Sequence, residues 1–478
     1  MRSKGAIAVL IFCLTGCALG PDYRRPDIDT PSTWRFEETE TKDVVNTRWW
    51  EQFNDPVVND LIVASLAENK DLKIAAARVE QYVGFYWTDR ASLFPQIGYT
   101  AQGGQQRASE NLTPPLTSSM RNPFTEYQGY FSGSWEMDIW GKLRRATEAA
   151  KADLLATEEY KRGVLLTLVT AVATGYITLR DLDKQLEIAK ETAKSREDSY
   201  KLFKLRFEGG VISELELSQV KSEYEQALAR IPLLEKRISF QENALCVLLG
   251  RNPSPIPRGK TIDELTLPAV PQGLPSDLLA NRPDIRQAEQ SLIAANARIG
   301  VARALYFPSI SLTGMFGYAS LNLSQLFSGP AKQWTWAAGT ITAPLFTGGA
   351  IIGQNITADA VQQEMLFTYQ RAIQTAFREV EDALIDQRKT REQLTVQHRQ
   401  VEALETYARV ARLRFDNGYT SYIEVLDAER SLFNAQLEYA QTQGVLFTSL
   451  VNLYKAMGGG WVVEGERMSA VGANPKNK

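Results

Sequence analysis

KLRRATEAAKADLLATEEYKRGVLLTLVTAVATGYITLRDLDKQLEIAKETAKSREDSYKLFKLRFE, residues 142–208, runs without a single proline. At 1.5 Å per residue such a helix reaches about 100 Å, longer than any single globular core. Leu165, Leu168, Val172, Gly175, Leu179 and Leu182 open an alternating three-and-four spacing that Leu186, Ala193, Tyr200, Phe203 and Phe207 continue. A sustained period near 3.5 means left-handed coiled-coil packing, so the stretch predicts a rod or a tube. Gly163 to Leu179 carries no charge, yet Thr167, Thr170, Thr174 and Thr178 lie in it and the pattern passes straight through. It reads as a buried part of a long soluble helix, with a membrane span as the alternative.

The same register returns 208 residues later in Tyr369, Ile373, Ala376, Val380, Ala383, Ala411 and Phe415, with Gln387, Thr390 and Gln397 in other slots. Arg206-Phe207-Glu208-Gly209-Gly210 matches Arg414-Phe415-Asp416-Asn417-Gly418 at that offset, and Leu249-Gly250 matches Met457-Gly458. Upstream, Asp71-Leu72 matches Asp284-Ile285, and Leu93-Phe94-Pro95 matches Tyr306-Phe307-Pro308, at an offset of 213. Four matches in one order make an internal duplication. Gly210 and Gly418 can take the left-handed conformation that ends a helix. Ser213-x-x-Glu216 and Ser421-x-x-Glu424 then read as capping boxes that start a returning helix. Each half therefore holds a helical hairpin with a tight tip.

Between the helices the period changes to two. Ile310, Leu312, Gly314, Phe316 and Tyr318 alternate with serine, threonine, methionine and glycine, and Tyr127, Phe131, Trp135 and Met137 alternate with polar residues. Strands are expected at about 96–105, 127–138, 309–318 and 334–345, each long enough to cross a bilayer at a tilt. Their aromatics suit an interfacial girdle, although a soluble hairpin packed on helices gives a similar pattern. In lipid every backbone N–H and C=O must be paired, so only closed barrels survive, and the smallest have about eight strands. Four strands cannot close alone, so copies must share the barrel.

Arg2 and Lys4 precede an apolar run from Gly5 to Leu14, a secretory signal that ends in the lipobox Leu14-Thr15-Gly16-Cys17. Cys17 is expected to be acylated, and the following Ala18 points to the outer membrane. Cys13 leaves with the signal, so Cys246 is the one thiol left and no disulfide can form within the mature chain. Losing the signal moves formal net charge from −3 to −5. A mildly acidic chain without basic clusters excludes nucleic acid as the expected partner. The domain reading is signal 1–16, a lipidated extended segment 17–57, a first repeat 58–251 with hairpin 142–249, a proline-rich connector 252–283, a second repeat 284–459 with hairpin 349–457, and a tail 460–478. The fold class is mainly α with β.

No enzyme is expected. His398, the only histidine, lies among charged neighbours on a long helix. No spacing suits zinc, no glycine loop suits a phosphate, and no serine pairs with a histidine, so neither metal nor cofactor is called for.

At this point the chain resembles the TolC-like outer membrane factors, in the lipoprotein branch serving resistance-nodulation-division pumps. The resemblance rests on Cys17-Ala18-Leu19-Gly20-Pro21-Asp22-Tyr23, Trp49-Trp50-Glu51-Gln52-Phe53 with Asp55-Pro56, Leu274-Pro275-Ser276-Asp277-Leu278-Leu279 with Arg282-Pro283-Asp284-Ile285, and Pro344-Leu345-Phe346-Thr347-Gly348-Gly349. It implies a homotrimer with a shared twelve-stranded barrel and a periplasmic α-barrel. An equatorial belt is implied that draws on Val58 to Ala67 and the connector. Implied partners are outer-membrane lipid, a periplasmic adaptor and an inner-membrane transporter. It also implies that Glu424 and Asp427 ring the periplasmic aperture, with Glu216 their repeat counterpart. Arg206, Gly210, Ser213, Arg414, Gly418 and Ser421 would face the adaptor, while the bland reading makes both arginines cations at helix ends. The function implied is a passive efflux duct. An exit channel for secreted proteins and a pore-less periplasmic scaffold are the alternatives.

Overall fold

The computed structural model describes residues 18–28, 31, 33–35, 48–109, 111, 122–269, 278–458, 462 and 465–468. The signal, Cys17 and residues 270–277 of the connector lie outside the described residues, as does the tail apart from residues 462 and 465–468.

The elements are α1 (Pro56–Glu68), α2 (Lys70–Ala91), β1 (Gln96–Gln106), β2 (Phe124–Met137), α3 (Lys142–Glu208) and α4 (Glu214–Leu248), then α5 (Pro283–Ala304), β3 (Ser309–Ser320), β4 (Lys332–Thr342), α6 (Ala350–Asp416) and α7 (Tyr422–Ala456). The duplication is visible in their lengths. Helices α2 and α5 both have 22 residues, α3 and α6 both have 67, and α4 and α7 both have 35. Strand β2 starts three residues earlier than expected, at Phe124. Strand β4 runs from Lys332 and stops at Thr342, short of the expected 345. Pro344 has no N–H to donate to a ladder, so pairing ends before it.

The chain divides into two compact units, each drawing on both repeats. One comprises Met1–Asp27, Val79–Thr157 and Ala288–Tyr369, and the other Ile28–Arg78, Glu158–Gln287 and Gln370–Lys478.

In the first unit the strands form one antiparallel sheet in the order β1-β2-β3-β4. Beside it an N-terminal strap runs along α5. Gly20 packs directly on the backbone of Gly300. Asn296 donates to the Pro21 carbonyl at 2.8 Å, and Tyr23 and Arg25 both reach the Glu289 carboxylate. At α2, the position equivalent to Gly300 is Trp87, which is exposed. The duplicated helix thus has no room for a second strap.

In the second unit the uncharged part of α3 meets water nowhere along one face. Leu165, Val169, Val172, Ala173 and Ile177 are buried with Trp49, Trp50, Phe53, Ile62 and Tyr454 in one apolar core. Although α3 holds a window apolar enough to cross a membrane, protein covers much of it. The Thr170 and Thr178 hydroxyls donate to carbonyls four residues back, to Leu166 at 2.8 Å and to Thr174 at 2.9 Å, whereas the Thr174 hydroxyl is buried without a hydrogen-bond partner. Asp55 ties this core together. Its side chain caps α1 by accepting from the Val57 N–H at 2.9 Å, with Pro56 at the first helical position. Its second oxygen accepts from the Tyr176 hydroxyl at 2.7 Å and the Lys260 N–H at 3.1 Å. Connector residues Ile256, Ile262 and Leu265 are buried in the same core.

Candidate functional site: a two-faced sheet and paired hairpin tips

Side chains in a strand alternate between faces, so register decides which residues share one. Tyr99 lies opposite Phe131, Phe131 opposite Phe316, and Phe316 opposite Trp334, which makes an aromatic row across all four strands. All four are more than half exposed. The next row on that face is Ile97, Gly133, Gly314 and Trp336. The opposite face carries Gly98, Ser132, Met315 and Thr335 in one row, and Thr100, Tyr130, Gly317 and Gln333 in the next. One face is therefore apolar and aromatic, and the other is polar and nearly uncharged. Among the described residues, strands β1 and β4 each keep one edge without a partner.

The two tips share a backbone. Gly210 (φ +70°) and Gly418 (φ +76°) stand in the left-handed region. Val211 N–H bonds to the Arg206 carbonyl at 2.9 Å and Gly210 N–H to that of Phe207 at 2.9 Å. Tyr419 and Gly418 repeat this pattern on Arg414 and Phe415 at 2.8 and 2.9 Å. These are Schellman closures, which satisfy the last helical carbonyls from the chain itself.

Side chains then diverge. Ser213 and Glu216 form the expected capping box: the Ser213 hydroxyl accepts from the Glu216 N–H at 3.3 Å, and the Glu216 carboxylate accepts from the Ser213 N–H at 2.8 Å. The same pattern at Ser421 does not close. Ser421 makes no side-chain cap, and the Glu424 carboxylate instead takes Arg414 at 3.1 Å and the Thr420 hydroxyl. Arg414 takes one carboxylate oxygen and the Thr420 hydroxyl the other, so the carboxylate is turned away from the Ser421 N–H. Arg206 lies in the last turn of α3, and its guanidinium also covers the rings of Phe203 (5.6 Å) and Phe415 (5.7 Å). Asp427 pairs with Arg430 at 2.7 Å. All three candidate aperture acids thus have partners within the chain.

Beneath the tips lies a small core of Phe203, Val220, Ala411, Tyr422, Val425 and Ala428. The Phe203 and Tyr422 rings pack with their centroids 4.1 Å apart, tilted by 41°. Next to it, nearly buried Arg196 donates to the Glu223 carbonyl at 2.7 Å and lies 3.0 Å from its carboxylate. Arg412 reaches the Tyr422 hydroxyl at 3.4 Å and Glu429 at 3.6 Å. Burial pushes the Glu429 carboxyl up, against the pull of Arg412 and Arg196. Burial also pushes the Arg196 guanidinium down.

A family profile described as outer membrane efflux protein matches residues 61–251 and 274–459, the two repeats. The chain belongs to the outer membrane efflux proteins. It is 36% identical to the probable efflux pump outer membrane protein TtgC of Pseudomonas putida over 96% of each chain. It is 34% identical to the cation efflux system protein CusC of Escherichia coli, over 95% of this chain and 98% of CusC. The outer membrane channel CmeC of Campylobacter jejuni superposes with a TM-score of 0.88 at 25% identity, covering 96% of this chain and 99% of CmeC.

In this outer membrane efflux protein, sequence reading missed Arg196, Glu223, Arg412, Tyr422, Glu429 and Arg430. A signal for them existed. At the offset of 208 their counterparts are Leu404, Ser431, Lys204, Glu214, Lys221 and Ser222, and only Arg412 keeps its charge type. The residues that build the tip network are mostly those at which the repeats stop agreeing.

Proposed function

We propose that this outer membrane efflux protein is one protomer of a homotrimeric, lipid-anchored duct, which carries small toxic molecules passively across the outer membrane. One observation carries this reading: the sheet has one aromatic face and two open edges. Unpaired backbone is intolerable in hydrocarbon, so the edges must be closed by copies of the chain. In the up-and-down order β1-β2-β3-β4, β1 of one copy can pair antiparallel with β4 of the next. The two flanks differ. Ile97, Phe85 and Trp87 are exposed on the β1 side, and Leu345, Phe346 and Ile352 on the β4 side. Unlike surfaces that meet head to tail form a ring when the rotation between copies closes, as a barrel requires. Three copies give twelve strands, the number the family resemblance implies, and place the polar face of the sheet around the duct.

Lipid anchoring through Cys17 is supported by its neighbours. Leu19 N–H donates to the Trp140 carbonyl at 3.0 Å, and Trp140 packs on Phe307 at 4.7 Å, beside the ends of β2 and β3. An acyl chain two residues before Leu19 would then enter the membrane beside an aromatic girdle. At the tips, Glu424, Asp427 and Glu216 would narrow the periplasmic aperture. Exposed Val211, Leu215, Tyr419 and Ile423, beside the two glycine turns, suit an adaptor that connects to an inner-membrane transporter. Relatives are named for toluene, antibiotic and cation efflux, which fits a shared conduit whose selectivity lies in the pump.

The test is conductance of detergent-purified protein in planar bilayers. A trimer that opens channels, with higher conductance in Glu424→Gln/Asp427→Ala, supports both the duct and the aperture. A folded monomer, or a trimer without channels, would overturn the reading.

A further inference from the structure

The β3–β4 connection is chemically odd for a loop at the end of the strands remote from the helices. From Ser309 to Ala331 the sequence contains no charged residue. Its turn carries Leu321 (43% exposed), Leu323 (61%) and Phe327 (80%). The β1–β2 connection at the same end contains Arg107, Glu110 and Arg121. A water-facing loop gains nothing from three exposed large apolar side chains, whereas a lipid-facing one does.

Its position decides which surface it meets. The Phe327 ring sits 5.5 Å from that of Tyr318, edge to face, and Tyr318 in turn lies 6.2 Å from Phe316. Tyr318 and Phe316 belong to the aromatic face, so the loop folds onto that side of the sheet and away from the polar side. Its backbone is in part paired within the loop. Short 3-10 turns at Leu323–Gln325 and Gly329–Ala331 pair Gln325 with Asn322, Leu326 with Leu323, Ser328 with Gln325 and Ala331 with Ser328, all within 3.2 Å. Each such pair lowers the cost of bringing the loop against hydrocarbon, where an unpaired backbone group is expensive. Length gives a further reason. From Ile310 to Tyr318 the apolar face of β3 spans about 26 Å along the strand, or roughly 20 Å after a tilt near 40°, against a barrel band of about 25 Å. The loop adds apolar height where the strand falls short. Lys332, opposite Tyr318 in the register, has no ion pair among the described residues and can snorkel to lipid phosphates.

We propose that residues 321–331 form an apolar foot that lies in the acyl chains of the outer leaflet, beside the barrel and not across its mouth. This rests on the reading of the sheet as membrane-embedded, and the test separates the two. Nitroxide labels are placed at Phe327→Cys and, separately, Phe316→Cys, with Cys246 fully buried and unreactive. The trimers are reconstituted in vesicles of phosphatidylethanolamine, phosphatidylglycerol and lipopolysaccharide. Accessibility to oxygen, which partitions into lipid, is compared with that to a water-soluble nickel chelate. Oxygen contact at both positions is the expected result. Nickel contact at 327 with oxygen contact at 316 overturns the foot and leaves the barrel standing. Exclusion of both reagents at 327 means the loop packs on protein and also overturns it. Nickel contact at 316 overturns the membrane reading of the sheet and the foot with it.

Discussion

The two hairpin tips share a backbone closure yet spend their charges differently, and one substitution explains why. At the first tip Arg206 covers the rings of Phe203 and Phe415, which leaves Glu216 free to close its capping box. At the second tip the residue equivalent to Phe203 is Ala411, so Arg414 has no matching pair of rings to lie between. It turns to Glu424, and the capping box at Ser421 stays open. The first tip is thereby held by stacking and capping that involve little free charge. The second is held by the exposed pairs Arg414–Glu424 and Arg430–Asp427. Exposed pairs contribute only about 0–1 kcal/mol each and are screened by salt, so the second tip is the cheaper one to rearrange.

Tyr422 gives the harshest way to break this comparison. It is 4% exposed, packs tilted on Phe203 and edge to face on Phe415, and stands where the first repeat has exposed Glu214. Tyr422→Ala should cost about 3–5 kcal/mol, as for other buried aromatics, and Glu214→Ala well under 1. Hydrogen exchange of the two hairpin ends would read it: protection should fall at both tips in Tyr422→Ala, because Phe203 belongs to one and Phe415 to the other. Loss confined to the second tip would refute the shared core.

A middle-sized effect comes from Asp181, whose repeat counterpart is the exposed, ion-paired Lys389. Asp181 is 8% exposed, packs against Gly444, and accepts from Gln185 Nε2 at 2.8 Å. Burial pushes its carboxyl up to about 6. Between its ordinary value and about 6 the folded chain holds a proton that the unfolded chain has released. Stability therefore falls as pH rises through that window, and the cost is complete at pH 7. Asp181→Asn should raise the melting temperature at pH 7, by an effect on the order of 2 kcal/mol, and change little below pH 4. A stabilisation that ignores pH would show that packing, not charge, sets the gain.

What was legible in the sequence follows from period. A spacing of 3.5 or 2 is carried by every residue of an element, so the 67-residue helices and the two-faced sheet could be read before any contact was known. The ends of β2 and β4 were less so, because a ladder stops where its neighbour stops pairing. Tip chemistry was hardest to read. Whether Glu424 caps its helix depends on Arg414, ten residues earlier across a turn, and that in turn depends on whether position 411 carries a ring. A local motif such as Ser-x-x-Glu states which bonds are available and leaves open which competitor is within reach. Comparing the repeats recovers part of what motif reading loses, since Phe203 against Ala411 is visible in the sequence alone.

The smallest expected effect is also the sharpest discriminator between the tips. Ser213→Ala removes a cap that is made, and such caps are worth about 1 kcal/mol. Ser421→Ala removes a hydroxyl that makes no cap bond. Amide exchange at Glu216 and Leu217 should therefore quicken about fivefold in Ser213→Ala, a factor equivalent to ~1 kcal/mol. Exchange at Glu424 and Val425 should hold steady in Ser421→Ala. Arg414→Ala turns the same logic round. With its arginine gone, the Glu424 carboxylate is released to bond the Ser421 N–H, and the second tip should acquire the box that the first already has. In that background Ser421→Ala should begin to cost what Ser213→Ala costs. Should the two serines be equivalent in the native protein, or should Arg414→Ala leave Ser421 inert, competition for Glu424 would not be what separates the tips.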